Sequence, residues 1–287
     1  MVYDELDVPG SLHVGRWTGS PDAATVLAVH GVTGNHRSWS LVAERVSATF
    51  LAPDLRGRGL SGSLPGPVGI ARHVADLVDV LDHLDLARVT LVGHSMGGFV
   101  VAALAAEHPD RVDRVVLVDG GLPFPPPPPG RSPEEALAAT LGPAAQRLTM
   151  TFESREAYLD FWRPHPALGP HWSAAAEEYF DYDLVGEPPT LRSSVSLEAV
   201  GDDSRDMMDA DTADARVHAL PPGTVFLRAP YGMLGEPGGL YPAELVAAYA
   251  GRYPHVSIAE VPGVNHYTIL LTEPGATAVA TALPDPA

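Results

Sequence analysis

Arg88-Val89-Thr90-Leu91-Val92-Gly93-His94-Ser95-Met96-Gly97-Gly98-Phe99-Val100-Val101 is the stretch whose reading decides the fold. An apolar, β-prone run (Val89 to Val92) enters Gly93-His94-Ser95-Met96-Gly97, and an alanine-rich helical run continues to about Glu107. This is a G-x-S-x-G pattern set between a strand and a helix, the context that gives the pattern chemical meaning. So sharp a turn strains the serine, and its neighbours must be small; Gly93, Gly97 and Gly98 supply the space. The helix starting at Met96 points free N–H groups and the positive end of its dipole toward Ser95. Ser95 therefore reads as a nucleophile placed where negative charge can be stabilised.

Working outward on the N-terminal side, Ala24 to Val29 is a short apolar strand ending in His30-Gly31-Val32-Thr33-Gly34-Asn35. A glycine-bearing loop lets backbone N–H groups approach an oxyanion closely, so Val32 N–H and Met96 N–H are the expected donors. Residues 11–19 alternate weakly, as an edge strand does. Trp39 to Ser47 and Val68 to Leu84 carry apolar residues at helical spacing, and Ala48 to Pro53 is a further strand. That strand empties into Asp54-Leu55-Arg56-Gly57-Arg58-Gly59-Leu60-Ser61-Gly62, which lacks the lysine and the glycine spacing of a phosphate-binding loop. Arg114 to Val118 is the next buried strand and stops at Asp119-Gly120-Gly121. Strands alternating with helices in this rhythm predict a parallel, helix-covered sheet.

After Leu122 the character changes. Pro123 to Gly130 is a stiff polyproline spacer. Residues 131–218 show helical patterns without strand runs, starting at Ser132-Pro133-Glu134-Glu135. They are expected to form a helical cap, 122–220, inserted between two parts of one core domain, 1–121 and 221–287. Its aromatics (Phe152, Tyr158, Phe161, Trp162, Trp172, Tyr179, Phe180) are expected mainly to pack with one another. The acidic run Asp202 to Asp211 lacks the glycine and terminal glutamate of a calcium loop and reads as a solvated face. The histidines form no H-E-x-x-H pair, and His165 and His171 read as surface residues. The sheet resumes at Thr224 to Ala229, a helix follows over Pro242 to Tyr253, and Val256 to Val261 is the last strand. A loop carrying Asn265-His266-Tyr267 leads into the final helical segment, and Leu283 to Ala287 read as a frayed end.

Composition bounds the rest. The chain has 287 residues, 45% of them hydrophobic, enough for one large domain with an insertion. There is no cysteine, which removes disulfides, thiol catalysis and zinc–thiolate sites. Thirty-six acidic against eighteen basic residues give a formal charge of −18, which repels a nucleic-acid backbone. No apolar run reaches the ~18 residues of a membrane helix. The first residues, Met1 to Asp7, lack the basic and apolar regions of a signal peptide, so a soluble, cytoplasmic protein is expected.

His30-Gly31, the Arg56-Gly57-Arg58-Gly59 loop, Gly93-His94-Ser95-Met96-Gly97 and the late His266, in that order, closely resemble the α/β-hydrolase family over nearly the whole chain except the cap. The resemblance implies a mostly parallel sheet of eight strands, with Ser95 after the fifth and His266 after the eighth. It implies a Ser–acid–His triad that needs no cofactor and no metal. Family members usually carry the acid just past the seventh strand, but Arg228-Ala229-Pro230-Tyr231-Gly232-Met233 has no carboxylate there. Two residues are open for the role: Asp119 at the end of the sixth strand, as in a subset of the family, and Glu236 downstream of the seventh. The shifted acid resembles zearalenone-type lactonases in that one feature. The resemblance implies a carboxylic ester hydrolase, acting on a small, largely apolar ester or lactone under the cap. Two alternatives stand beside it: a C–C bond hydrolase of ring-cleavage type, and a non-catalytic ligand-binding protein that keeps the fold. Epoxide hydrolysis and dehalogenation in this fold use an aspartate at the nucleophile position, where this chain has Ser95.

Overall fold

The computed structural model describes residues 1–20, 23–126, 129–131 and 133–283. Ten strands occur among them: β1 (Val2–Asp7), β2 (His13–Thr18), β3 (Thr25–Val29), β4 (Thr49–Pro53), β5 (Val89–His94), β6 (Val112–Val118), β7 (Leu184–Val185), β8 (Arg192–Ser193), β9 (Thr224–Arg228) and β10 (Val256–Glu260). Eight form one sheet in the order β1-β2-β4-β3-β5-β6-β9-β10. β2 runs antiparallel to both its neighbours, and every other pairing is parallel. Parallel neighbours require crossovers, supplied by the helices Ile70–His83, Met96–Glu107 and Ala243–Arg252.

Alternation along the central strands builds two cores. Val26, Ala28, Val92, Val116 and Leu227 face one side, where they meet Trp39, Leu270 and Val279. Leu27, Val29, Leu91, Leu117 and Phe226 face the other, against Leu77, Val101 and Leu104. The helix Met96–Glu107 is buried on every side over residues 96–105, which its sequence of alanine, valine and glycine permits. Among the described residues no helix is long and apolar enough to cross a membrane.

Three features depart from the sequence reading. The edge of the sheet is β1, not the 11–19 segment. β2 lies inside, and the acidic side chains of Asp4 and Glu5 belong to the edge strand, where charge discourages pairing with another chain. The segment between β6 and β9 contains a hairpin, β7–β8, besides its helices. Two residues per strand are too few to leave an alternating signature. Leu283 is buried rather than frayed; residues 284–287 lie outside the described residues, as do Pro21-Asp22, Pro127, Pro128 and Ser132.

The chain leaves β6 through Leu122 and Pro123, whose carbonyls accept hydrogen bonds from Tyr241 and Tyr249 hydroxyls at 2.8 Å each. Phe124 then packs on Phe99 and Tyr241. The segment between β6 and β9 has an aromatic cluster of its own: Trp162 stacks on Phe180 with centroids 4.2 Å apart, and Phe152 meets Tyr158 edge-on. Core packing thus accounts for most of the aromatic residues there, as expected.

Among the described residues the tightest backbone-to-backbone approach lies where the helix after β5 meets its neighbours. A Cβ on Gly98 would sit 2.3 Å from Gly120 O, and one on Gly97 2.0 Å from Val29 O, both against backbone that cannot rotate away. Gly98→Ala should therefore destabilise the protein by about 2 kcal/mol or more in urea unfolding. A change under about 0.5 kcal/mol would show that the two segments can separate freely.

Candidate active site

Ser95 sits between β5 and the helix Met96–Glu107 with φ 55° and ψ −123°, a conformation non-glycine residues avoid. Its own N–H donates to Val118 O (3.0 Å), and its carbonyl accepts from Gly98 N–H (2.9 Å). A Cβ on Gly93 would lie 2.2 Å from Gly97 O, and one on Gly120 2.1 Å from Ser95 O. The small residues flanking the serine are thus needed by the turn, and Gly120 adds one from the neighbouring strand end.

His266 lies in the loop after β10, and its Nδ1 is 2.7 Å from Asp119 Oδ2. Asp119 is fully buried at the end of β6 with φ 47°. Its other carboxylate oxygen, Oδ1, accepts from Ala229 N–H (3.0 Å), and its N–H donates to Leu227 O (2.7 Å). A carboxylate fixed in this way holds the imidazole with its proton on Nδ1 and leaves Nε2 free to accept another. Glu236 is engaged elsewhere: it is exposed, and its Oε2 accepts from Leu234 N–H at 2.9 Å. Of the two carboxylates the sequence left open, Asp119 is the one joined to His266.

The loop after β3 is held from below. His30 is fully buried; its Nδ1 lies 2.8 Å from Gly31 O and its Nε2 accepts from Leu55 N–H at 2.9 Å, which requires the neutral ring. Burial, only partly opposed by the charge of Asp54, pushes its pKa down to about 4. Two buried arginines hold the next carbonyls. Arg58 Nε donates to Val32 O (3.0 Å), and Arg147 Nη2 donates to Thr33 O (2.9 Å). Each is neutralised by a buried aspartate of the segment between β6 and β9: Arg58 by Asp203 (2.6 Å) and Arg147 by Asp183 (3.1 Å). Asn35 adds a third tie, donating to Tyr179 O. These contacts fix the loop that lines the cavity beside Ser95.

Gly31, Val32, Tyr179, Met233, Tyr267 and Leu270 line a cavity with Ser95, His94 and His266. Met96 is fully buried at the first position of the helix, directly after the serine. A wider space of about 220 Å³ opens from Ser95 and Val32 between Phe124, Leu141, Met207, Met208, Met233 and Leu240. Its walls are mostly apolar, with Glu236 the one charged residue among the described residues that line it. His94 lies beside His266, ring centroids 4.5 Å apart, with its Nε2 2.9 Å from His266 O. Burial, and then the neighbouring His266, push His94 well below the ordinary histidine range, so it is a neutral support for the His266 loop.

The sequence reading missed the two buried ion pairs. Asp203 belongs to the run taken as a solvated face, yet it is fully buried between Arg58 and His73. Arg58 belongs to the Arg56-Gly57-Arg58-Gly59 loop, whose sequence does not fit phosphate binding and gives no sign of an aspartate partner. Nothing in local spacing connects residues 145 positions apart, and only the glycines around Arg58 hinted at a packed loop. His165 is buried against Trp162 and Tyr267, not on the surface, whereas His171 is exposed as expected.

The α/β-hydrolase fold family matches over residues 24–188. This chain belongs to that family. The chain spans only about a third to two fifths of the length of the first curated relatives it matches. Lipase LipV of Mycobacterium tuberculosis is 41% identical over 109 residues, covering 38% of this chain and 41% of the lipase. A 3-hydroxybutyrate-oligomer hydrolase of Cupriavidus necator is 27% identical over 280 residues, 90% of this chain and 88% of that protein. Among solved structures, E-2-(acetamidomethylene)succinate hydrolase superposes with a TM-score of 0.76 at 22% identity over 98% of both chains, a likeness of fold.

His30 makes the site acid-sensitive. Its pKa in the fold, about 4, lies below the ordinary 6.5, so the unfolded chain binds more protons between those values. The stability this contributes is complete above pH 6.5 and is lost as pH falls toward 4, about 3 kcal/mol in all. Unfolding free energies measured from pH 7 to 4 should fall in the native protein and fall less in His30→Gln. Equal slopes would remove His30 as the source.

Proposed function

We propose that the protein is a serine hydrolase that cleaves a carboxylic ester or lactone through an acyl-enzyme on Ser95. The observation that carries this reading is the shared cavity of Ser95 and His266, with His266 hydrogen-bonded at 2.7 Å to a fully buried Asp119. An unassisted serine hydroxyl is a weak nucleophile at neutral pH. In the proposed cycle His266 Nε2 takes the Ser95 proton as Oγ attacks the carbonyl carbon, and Asp119 stabilises the imidazolium that results. The tetrahedral oxyanion is held by Val32 N–H and Met96 N–H, each such donor being worth about 3 kcal/mol in the transition state. His266 then gives the proton to the leaving alcohol, and water, activated by the same histidine, releases the acid.

The substrate class is read from the walls. A carbonyl held at Ser95 extends its apolar part between Phe124, Leu141, Met207, Met208 and Leu240, where burial of each CH₂ contributes about 0.8 kcal/mol. A charged group there would lie near Glu236, which disfavours an anionic chain. The similarity to a lipase and to a 3-hydroxybutyrate-oligomer hydrolase agrees with ester chemistry. We place the protein in the cytoplasm as a working expectation, with no metal or cofactor in this reaction.

Steady-state hydrolysis of aryl esters of increasing acyl length tests the assignment. kcat/KM should rise with chain length until the cavity is filled. Ser95→Ala should remove turnover, Asp119→Asn should lower kcat by about 10⁴, and Glu236→Gln should stay within a few-fold of native. A large loss in Glu236→Gln with a mild one in Asp119→Asn would contradict the proposed triad.

A further inference from the structure

Away from the cavity, four parts of the chain converge at the β1 side of the sheet: the edge strand, His13 at the start of β2, the 3-10 helix His36–Trp39, and Asp54 after β4. We propose that His13, His36 and Asp54 form a binding site for one divalent transition-metal ion of the zinc class. A donor atom from each lies within 4.8 Å of those of the other two, and all three residues are buried. None of them lines the space around Ser95.

The hydrogen bonds around the ligands are those a metal site needs. His13 Nδ1 lies 2.8 Å from Asp7 Oδ1, so its proton is on that nitrogen and Nε2 carries the lone pair. That Nε2 is buried and has no hydrogen-bond partner; Glu5 Oε2, 3.5 Å away, is a second acceptor rather than a donor. Two acceptors facing each other in a half-buried space want a cation between or beside them. His36 has Nδ1 3.1 Å from Asp54 Oδ1 and Nε2 2.9 Å from Tyr3 Oη. A metal taking Nδ1 requires only that the ring proton move to Nε2, where Tyr3 Oη accepts it, so no net proton is lost.

Asp54 is fixed in place by hydrogen bonds: its Oδ1 accepts from the His36 backbone N–H at 2.9 Å. Leu60 N–H and Tyr182 Oη bind its Oδ2, at 3.0 and 2.6 Å, and fix the carboxylate plane. Two imidazoles and a carboxylate, with Glu5 adjacent as a fourth oxygen donor, suit zinc, cobalt or nickel rather than magnesium, which takes oxygen ligands. The formal charge of −18 raises the local concentration of cations of any kind. Residues 13, 36 and 54 come from three separate elements, which is why no ligand spacing is visible in the sequence. Bound there, the ion would clamp the edge of the sheet to the segment that leaves the Gly31–Asn35 loop.

The test uses the full chain freed of metal by a chelator. Zn²⁺ titration against a chromophoric competitor, and Co²⁺ absorption in the visible, should show one ion per chain in tetrahedral N/O coordination, and Zn²⁺ should raise Tm. Mg²⁺ should do neither. His13→Gln should abolish binding while far-UV circular dichroism stays native. Asp7→Asn removes only the carboxylate behind His13; since Asp7 is 87% exposed, the fold should tolerate it, and affinity should fall about 10- to 100-fold. Absence of saturable binding in the native chain would overturn the proposal. So would native affinity in Asp7→Asn together with loss in His266→Gln, which would put the ion at the triad histidine instead.

Discussion

The backbone of Ser95, held at φ 55°, is the constraint on which the rest depends. A residue in that conformation costs about 1–3 kcal/mol and persists only where its surroundings over-determine it. Here they do so through closeness. Gly93, Gly97, Gly98 and Gly120 let four backbone segments pass at distances no Cβ would allow, and the buried strands β3, β5 and β6 hold those segments in register. The turn aims the N-terminus of a helix buried over residues 96–105 at the serine, so the strain is what presents the nucleophile.

A second constraint joins the segment between β6 and β9 to the loop after β3. Arg58–Asp203 and Arg147–Asp183 are buried ion pairs, and each arginine also holds a carbonyl of the loop beside Ser95. Buried pairs contribute little net stability, but removing one partner strands a charge and costs about 3–5 kcal/mol. Their effect is therefore on geometry: the segment between β6 and β9 and the loop after β3 cannot move independently without breaking one of them. The same contacts tie the wall of the apolar space to the loop beside Ser95.

Much of this was legible in the sequence. The strand–turn–helix around Ser95, the loop after His30 and the late His266 are local patterns whose chemistry follows from residue type and order. The core helices and strands fell within a few residues of where periodicity put them. Asp119 was narrowed to two carboxylates, and the structure joins it to His266, because an acid at a strand end can serve a histidine across the neighbouring strand. What escaped the sequence is long-range. β1 was hidden in an acidic stretch whose pairing depends on β2, the hairpin β7–β8 was too short to alternate, and Asp203 looks solvated until Arg58 is folded against it. The cluster of His13, His36 and Asp54 is likewise a product of sheet order.

The most direct test of an activated serine is the intact mass of the purified chain after exposure to a fluorophosphonate. Phosphonylation requires a nucleophile deprotonated by a neighbouring base next to oxyanion donors, and it needs no knowledge of the natural substrate. One adduct per chain, absent in Ser95→Ala and much slower to form in His266→Gln, is the predicted result. A folded protein that stays unlabelled, or an adduct that survives Ser95→Ala, would contradict the account.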